Sequence, residues 1–170
     1  MARDAIEAAY RANKDRKKAW SLPFDSIDPA GADDHFFYMR NGGAIPIVVY
    51  KVVVESTVAG TVEIHAVSGT AGGSPTAQTP VNKTPSGGPL PQIGLVSGIT
   101  QSHYDDPDIT GLTSGGILDF IALDAAGENV VHQIPEGIRL ETGQALSLLW
   151  DTATGVLTGA VHCYEEGPSD

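Results

Sequence analysis

The sequence predicts a mainly β protein: an antiparallel β-sandwich, jelly-roll-like, with a short N-terminal helix and arm. Three observations carry that expectation. Eight or nine short segments between His35 and Tyr164 are rich in β-branched and aromatic residues, and several of them alternate apolar with polar positions. Glycine-containing turns such as Asn41-Gly42-Gly43, Ala126-Gly127, Thr142-Gly143 and Thr154-Gly155 close them off. No helical pattern is interleaved among them, which leaves two facing sheets or a barrel as the architecture. A chain of 170 residues makes one domain and buries about 70% of its extended surface.

The first element is a helix over residues 4–20. Asp4 is placed to cap it, with Glu7 three positions later, and Ile6, Ala9, Tyr10 and Trp20 share one face. A lone helix of that length is marginal in water, so it docks on its own β-domain or on a neighbouring subunit. Ser21 to Asp34 carries two prolines and four aspartates and reads as a linker, so that residues 1–34 form a helix and linker arm and 35–170 the β-sandwich domain.

The strands expected in order are His35–Arg40, Ile45–Glu55, Thr61–Val67, Gly116–Asp124, Asn129–Ile134, Ile138–Glu141, Gln144–Trp150 and Val156–Tyr164, with a weaker one near Gln92–Ser97. Val62, Ile64 and Ala66 oppose Thr61, Glu63 and His65, and Leu146, Leu148 and Trp150 oppose Ala145, Ser147 and Leu149. Phe36, Phe37, Phe120 and Trp150 fall in patterns that bury them. The apolar positions Val48, Tyr50, Val52 and Val54 against Ile47, Val49 and Val53 exceed what one sandwich interior takes, which places some of them under the helix or a partner. Residues 68–90 form a long Gly/Pro-rich loop with no large apolar side chain except Val81 and Leu90.

Charge is unevenly placed. The net charge is −11, yet residues 1–20 hold six basic and three acidic residues, a balance of +3, and the remainder carries −14. Such an acidic body is a poor ligand for nucleic acid. Cys163 is the single cysteine, so no intrachain disulfide forms, and neither a signal peptide nor a membrane-spanning run is apparent; the expected setting is a reducing cytoplasm.

Candidate chemistry is sparse. His65 and Glu63 share a strand face that reads as solvated, and no His-x-His pair accompanies the five histidines. Asp105, Asp106 and Asp108, near His103, have oxygens suited to a hard cation, but Pro107 and the aspartates equally suit a tight turn. There is no Gly-x-Ser-x-Gly elbow, Cys163 alternates with core positions, and the glycines at 69–73 do not open a helix. Asn82-Lys83-Thr84 matches a glycosylation acceptor. Paired carboxylates of the glycosidase kind are spatial and escape a sequence search. The sequence therefore points to no catalytic residue, no cofactor and no metal, and to a non-enzymatic protein.

The strings GADDHFFYMRNGG, TPVNKTPSGG and IPEGIRLETGQALSLLW resemble small β-sandwich virion proteins of tailed bacteriophages, the decoration or cement proteins of the capsid exterior. The resemblance spans residues 31–165. It implies a homotrimer made in the host cytoplasm, contacting the major capsid protein, without nucleic acid or membrane. Arm contacts are then expected at Ile6, Tyr10, Arg11, Lys14, Lys17, Lys18 and Trp20, and loop contacts at Pro80, Val81, Asn82 and Lys83. Loss of residues 1–20, or Trp20→Ala, is expected to weaken attachment and leave the β-domain folded, unless the helix caps its own sandwich. The alternative is a carbohydrate-binding adhesion module using Tyr104 and Trp150 beside the acidic turn at Asp105–Asp108.

Overall fold

A computed structural model describes residues 5–84, 90–94 and 102–167, the side chains of 15 and 16 excepted. After a short helix α1 (Ala5–Arg11) and a π-helical turn (Ala12–Arg16), eleven strands follow: β1 (Ala19–Ile27), β2 (Asp34–Arg40), β3 (Ile47–Ser56), β4 (Gly60–Gly72), β5 (Thr76–Gln78), β6 (Val81–Asn82), β7 (His103–Asp105), β8 (Thr110–Leu123), β9 (Asn129–Leu140), β10 (Ala145–Trp150) and β11 (Leu157–Glu165). They form two antiparallel sheets, ordered β6-β1-β11-β3-β9 and β5-β7-β2-β10-β4-β8. Without the three short strands these orders are β1-β11-β3-β9 and β2-β10-β4-β8, with successive long strands alternating between the sheets except β4 and β8, which pair within the second sheet. That is the eight-stranded double Greek key of a jelly roll.

The interior lies between the sheets. Trp20, Leu22, Phe24, Phe36, Phe37, Met39, Ile64, Leu148, Trp150 and Val161 are all buried there, most on the inward side of a two-residue alternation and Phe36 at a register shift, where the ladder with β10 passes from Phe37 to His35. Phe24 meets Phe36 and Phe37 edge-on, with ring centroids 5.4 and 5.9 Å apart. Cys163 is fully buried on β11, opposite Trp20 in the ladder, and burial pushes its thiol up to about 12.

The expected separation between arm and body is corrected by β1. Residues 19–27, read as helix end and linker, run antiparallel to β11 from Ala19↔Tyr164 to Ile27↔Leu157 and carry four core side chains, Trp20, Leu22, Phe24 and Ile27. Pro23 and Asp25 disguise the strand, but β6 pairs with β1 at Trp20 and Ser21, so among the described residues the proline opposes no second partner. The predicted strands 129–134 and 138–141 are one strand bulged in the middle, where the ladder with β3 jumps from Val49↔Ile138 to Lys51↔Gln133. The expected loop 68–90 is likewise corrected: β4 runs on to Gly72, and β5 and β6 attach its later part to opposite sheets. Positions 85–89, the expected cap Asp4 and the second half of the weak strand near 92–97 lie outside the described residues. Ile93 makes an isolated bridge to Asn41.

Helix α1 lies on the outer face of the first sheet. Ala5, Ala8, Ala9 and Ala12 pack against Val48, Tyr50 and Tyr164, so part of the surplus apolar surface of β3 is covered by the chain itself. The close seat depends on Gly137, whose φ of +72° favours glycine; a Cβ there would collide with Val48 Cγ1 and stand 3.2 Å from Ala5 Cβ.

Candidate functional site

The fold gathers most of the sequence-predicted contact residues on one surface. β6 lies beside β1, with Asn82 opposite Trp20, which brings the end of the loop against the N-terminal helix. Asn82 Nδ2 donates to the Lys17 carbonyl at 2.7 Å, and Thr84 Oγ1 donates to Asn13 Oδ1 at 3.0 Å. Asn82 Oδ1 also accepts from the Thr84 backbone N–H at 2.7 Å, so the asparagine of the glycosylation-like triplet is held on both sides. Within this surface Tyr10 and Val81 are the large exposed apolar side chains, at 63% and 55%.

Not every expected contact is available. Trp20 is fully buried between the sheets and Pro80 is buried, so neither reaches a partner. Ile6 is half-buried against the sheet. Arg11 pairs with Glu7 at 2.6 Å, and Lys18 pairs with Glu165, whose side chain is only 4% exposed. Lys14 and Lys17 are exposed.

Lys83, one of the expected loop contacts, turns back onto its own sheet. Its half-buried Nζ donates to the Tyr50 hydroxyl at 2.8 Å. Tyr50 stands at a β3 bulge where the ladders with both β9 and β11 shift register, which turns it outward beneath the helix. Burial, and then the neighbouring Lys51, brings the Lys83 ammonium down to about 8; burial raises Tyr50 to about 12. His162, on the same sheet, is held down to about 3 by burial and by Lys83 and Lys51.

A second surface was not foreseen. The far side of the sandwich is bounded by β8 at the rim of one sheet and β9 at the rim of the other, and no further strand covers either among the described residues. His132 Nε2 and Asp119 Oδ2 meet at 2.7 Å across this opening. Around it Ile117, Leu118, Phe120 and Val131 are 55%, 47%, 64% and 54% exposed. Phe120, expected in the core, points out because it pairs with Glu63, whereas its neighbour Ile121 pairs with the inward Val62. Leu118 borders a shallow cavity of about 290 Å³ with Ala66, Val67, Ile138 and Leu140.

The remaining candidates resolve into structure. Asp106 Oδ1 accepts from the Asp108 N–H at 3.0 Å, the turn geometry anticipated, while Asp105 is buried and accepts from Gln78 at 3.1 Å. Burial pushes the Asp105 carboxyl up. No group of three or more metal-ligating side chains converges among the described residues. His65 is buried rather than solvated, held by Glu63 and Ser114 at 2.7 Å each. Tyr104 and Trp150 are both buried, the indole N–H of Trp150 donating to the Thr154 carbonyl, so neither forms a sugar-stacking platform. Among the described residues no helix is long and apolar enough to cross a membrane.

These features define a jelly-roll β-sandwich with one side covered by the chain itself and one that the described residues leave uncovered. No family model matches the chain, and no curated protein matches it.

Proposed function

We propose that this chain is a non-enzymatic structural virion protein that decorates and stabilises a tailed-bacteriophage capsid, acting as a homotrimer on the major capsid protein. The observation that carries the proposal is the uncovered β8/β9 side. The opposite side of the sandwich is protected, since β6 extends one sheet and β5 and β7 the other. Edge strands left open are normally blunted by charge, proline or covering segments. Here β8 has Asp119 as its one charged residue, and Asn129–Ile134 has no Lys, Arg, Asp or Glu. In a chain of net charge −11 such a neutral, apolar stretch is where acidic copies approach with least repulsion. Two unlike edges, β8 and β9, meeting head to tail generate a closed ring when the rotation closes.

Jelly rolls also serve lectins and cupins, so the fold alone does not decide the function. The test is mass by light scattering, followed by co-sedimentation with purified capsids. A trimer that falls to monomer in Phe120→Asp, and that binds shells only as a trimer, supports the proposal. A wild-type monomer at micromolar concentration with no affinity for shells overturns it.

A further inference from the structure

We propose that the pocket between helix α1 and strand β3 binds a small polyvalent oxyanion, of the phosphate or polycarboxylate class, on the ammonium groups of Lys51 and Lys83. The pocket has a volume of about 270 Å³ and is lined by Tyr10, Asn13, Tyr50, Lys51 and Lys83 among others. It stands on different residues from the β8/β9 surface and does not depend on the capsid assignment.

Acidic residues outnumber basic ones 21 to 10, so a lysine here has every opportunity to find a carboxylate. Arg11 has Glu7, Lys18 has Glu165, and Arg139 has Glu141 and Glu166. Lys51 and Lys83 have no carboxylate within 4 Å among the described residues, and neither does Lys14, whose Nζ lies over the Tyr10 ring at the pocket's rim, 5.9 Å from its centroid. The unpaired ammonium groups thus collect at one concavity.

Hydrogen-bond inventory points the same way. Lys83 spends one N–H on Tyr50, and because the tyrosine oxygen accepts that bond, its own O–H remains to donate. Asn13 Oδ1 is occupied by Thr84, which leaves its amide N–H groups as donors. Beside the apolar Ile6 and Ala9 and the ring of Tyr10, the pocket therefore offers as polar groups two ammonium groups, the Tyr50 phenol and an amide, all donating. An oxyanion satisfies such a set, and a cation or an apolar ligand does not.

Binding is linked to protonation. The groups facing Lys83 are Tyr50 and Lys51 on β3, His162 and the buried Cys163 on β11, and Tyr10 and Asn13 from the N-terminal segment, with Lys14 beyond them over the Tyr10 ring. An anion raises the Lys83 ammonium above its free value of about 8, so binding takes up a proton near pH 8.5 and weakens as pH rises further.

The experiment titrates the full chain with inorganic phosphate and with citrate against sodium chloride of matched ionic strength, by calorimetry and by the shift of the thermal midpoint. Saturable binding of either anion, weakened at least tenfold in the Lys51→Gln/Lys83→Gln double variant and unchanged in Lys17→Gln, is the expected result; the tighter of the two names the class. Calorimetry of the wild-type chain in two buffers of different ionisation heat should show proton uptake at pH 8.5 and none at pH 6.5. An effect that chloride reproduces, that persists in the double variant, or that carries no proton uptake at pH 8.5 overturns the proposal.

Discussion

Trp20→Ala separates a surface anchor from a core residue. Trp20 is fully buried, opposite Cys163 on one side of β1 and Asn82 on the other, and shares the interior with Leu22 and Phe24. Truncating a buried tryptophan to alanine costs about 3–5 kcal/mol, because lost transfer energy is joined by the cavity left behind. Domains of this size lose about 2–4 °C of midpoint per kcal/mol, so the expected fall is roughly 6–20 °C. Native stabilities are only about 5–15 kcal/mol, which makes this a large fraction. The assay is scanning calorimetry beside light scattering, with Tyr10→Ala, exposed at 63%, as the comparison. That surface change should stay within about 0.5 kcal/mol of wild type. A Trp20→Ala protein that melts within 2 °C of wild type yet associates more weakly refutes the assignment of Trp20 to the core. By the same reasoning, removal of residues 1–20 strips β1 of Ala19 and Trp20 and should destabilise the whole sandwich, contrary to what a detachable arm implies.

Three other expectations follow from buried or strained positions. Lys18→Met leaves the Glu165 carboxylate, 4% exposed, without its partner and should cost about 3–5 kcal/mol by urea unfolding; an unchanged midpoint would mean that the carboxylate is solvated. Gly137→Ala should lose about 1–2 kcal/mol from left-handed backbone alone, with the collision against Val48 adding to it, and should loosen the helix, seen as faster amide exchange over 5–11. His103 is buried with Nε2 on the Pro23 carbonyl, and burial brings it down to about 4. The unfolded chain takes that proton below about 6.5, so acid favours unfolding: stability is intact above this value and falls by about 3 kcal/mol as pH drops to 4, at 1.36 kcal/mol per pKa unit. His103→Leu should make the urea midpoint less steep between pH 7 and 4.5; an identical slope would assign the acid sensitivity elsewhere.

The sandwich was legible because most of its strands keep a period of two. Val62, Ile64, Leu146, Leu148 and Trp150 point inward as their alternation demands. What escaped lay where that period breaks. β1 carries Pro23 and Asp25, and only pairing with β11 makes it a strand. In β8 the ladder shifts between Ile64 and His65 and again between Ala66 and Val67, and Gly116 has φ +129°, so Ile117 and Leu118 both come to the surface although no alternation places them there. β7 is three residues long and looks like the turn that follows it. For the candidate site, the helix and loop residues were recognisable as polar and basic, but their meeting was not. It depends on β6 reaching β1 and on the Tyr50 bulge, both decided by pairing between segments far apart in the chain.

The position of Cys163 makes the protein its own stopwatch. The thiol is enclosed on β11, held between β1 and β3 and raised by burial to about 12, so in the folded chain it is neither exposed nor readily ionised. An alkylating reagent must wait until β11 parts from its neighbours. The rate of labelling at high reagent concentration then reads the opening of the first sheet from a single native atom, with no engineered probe. Whatever steadies that sheet, whether a ligand under the helix or further copies along the rim, must lengthen the wait.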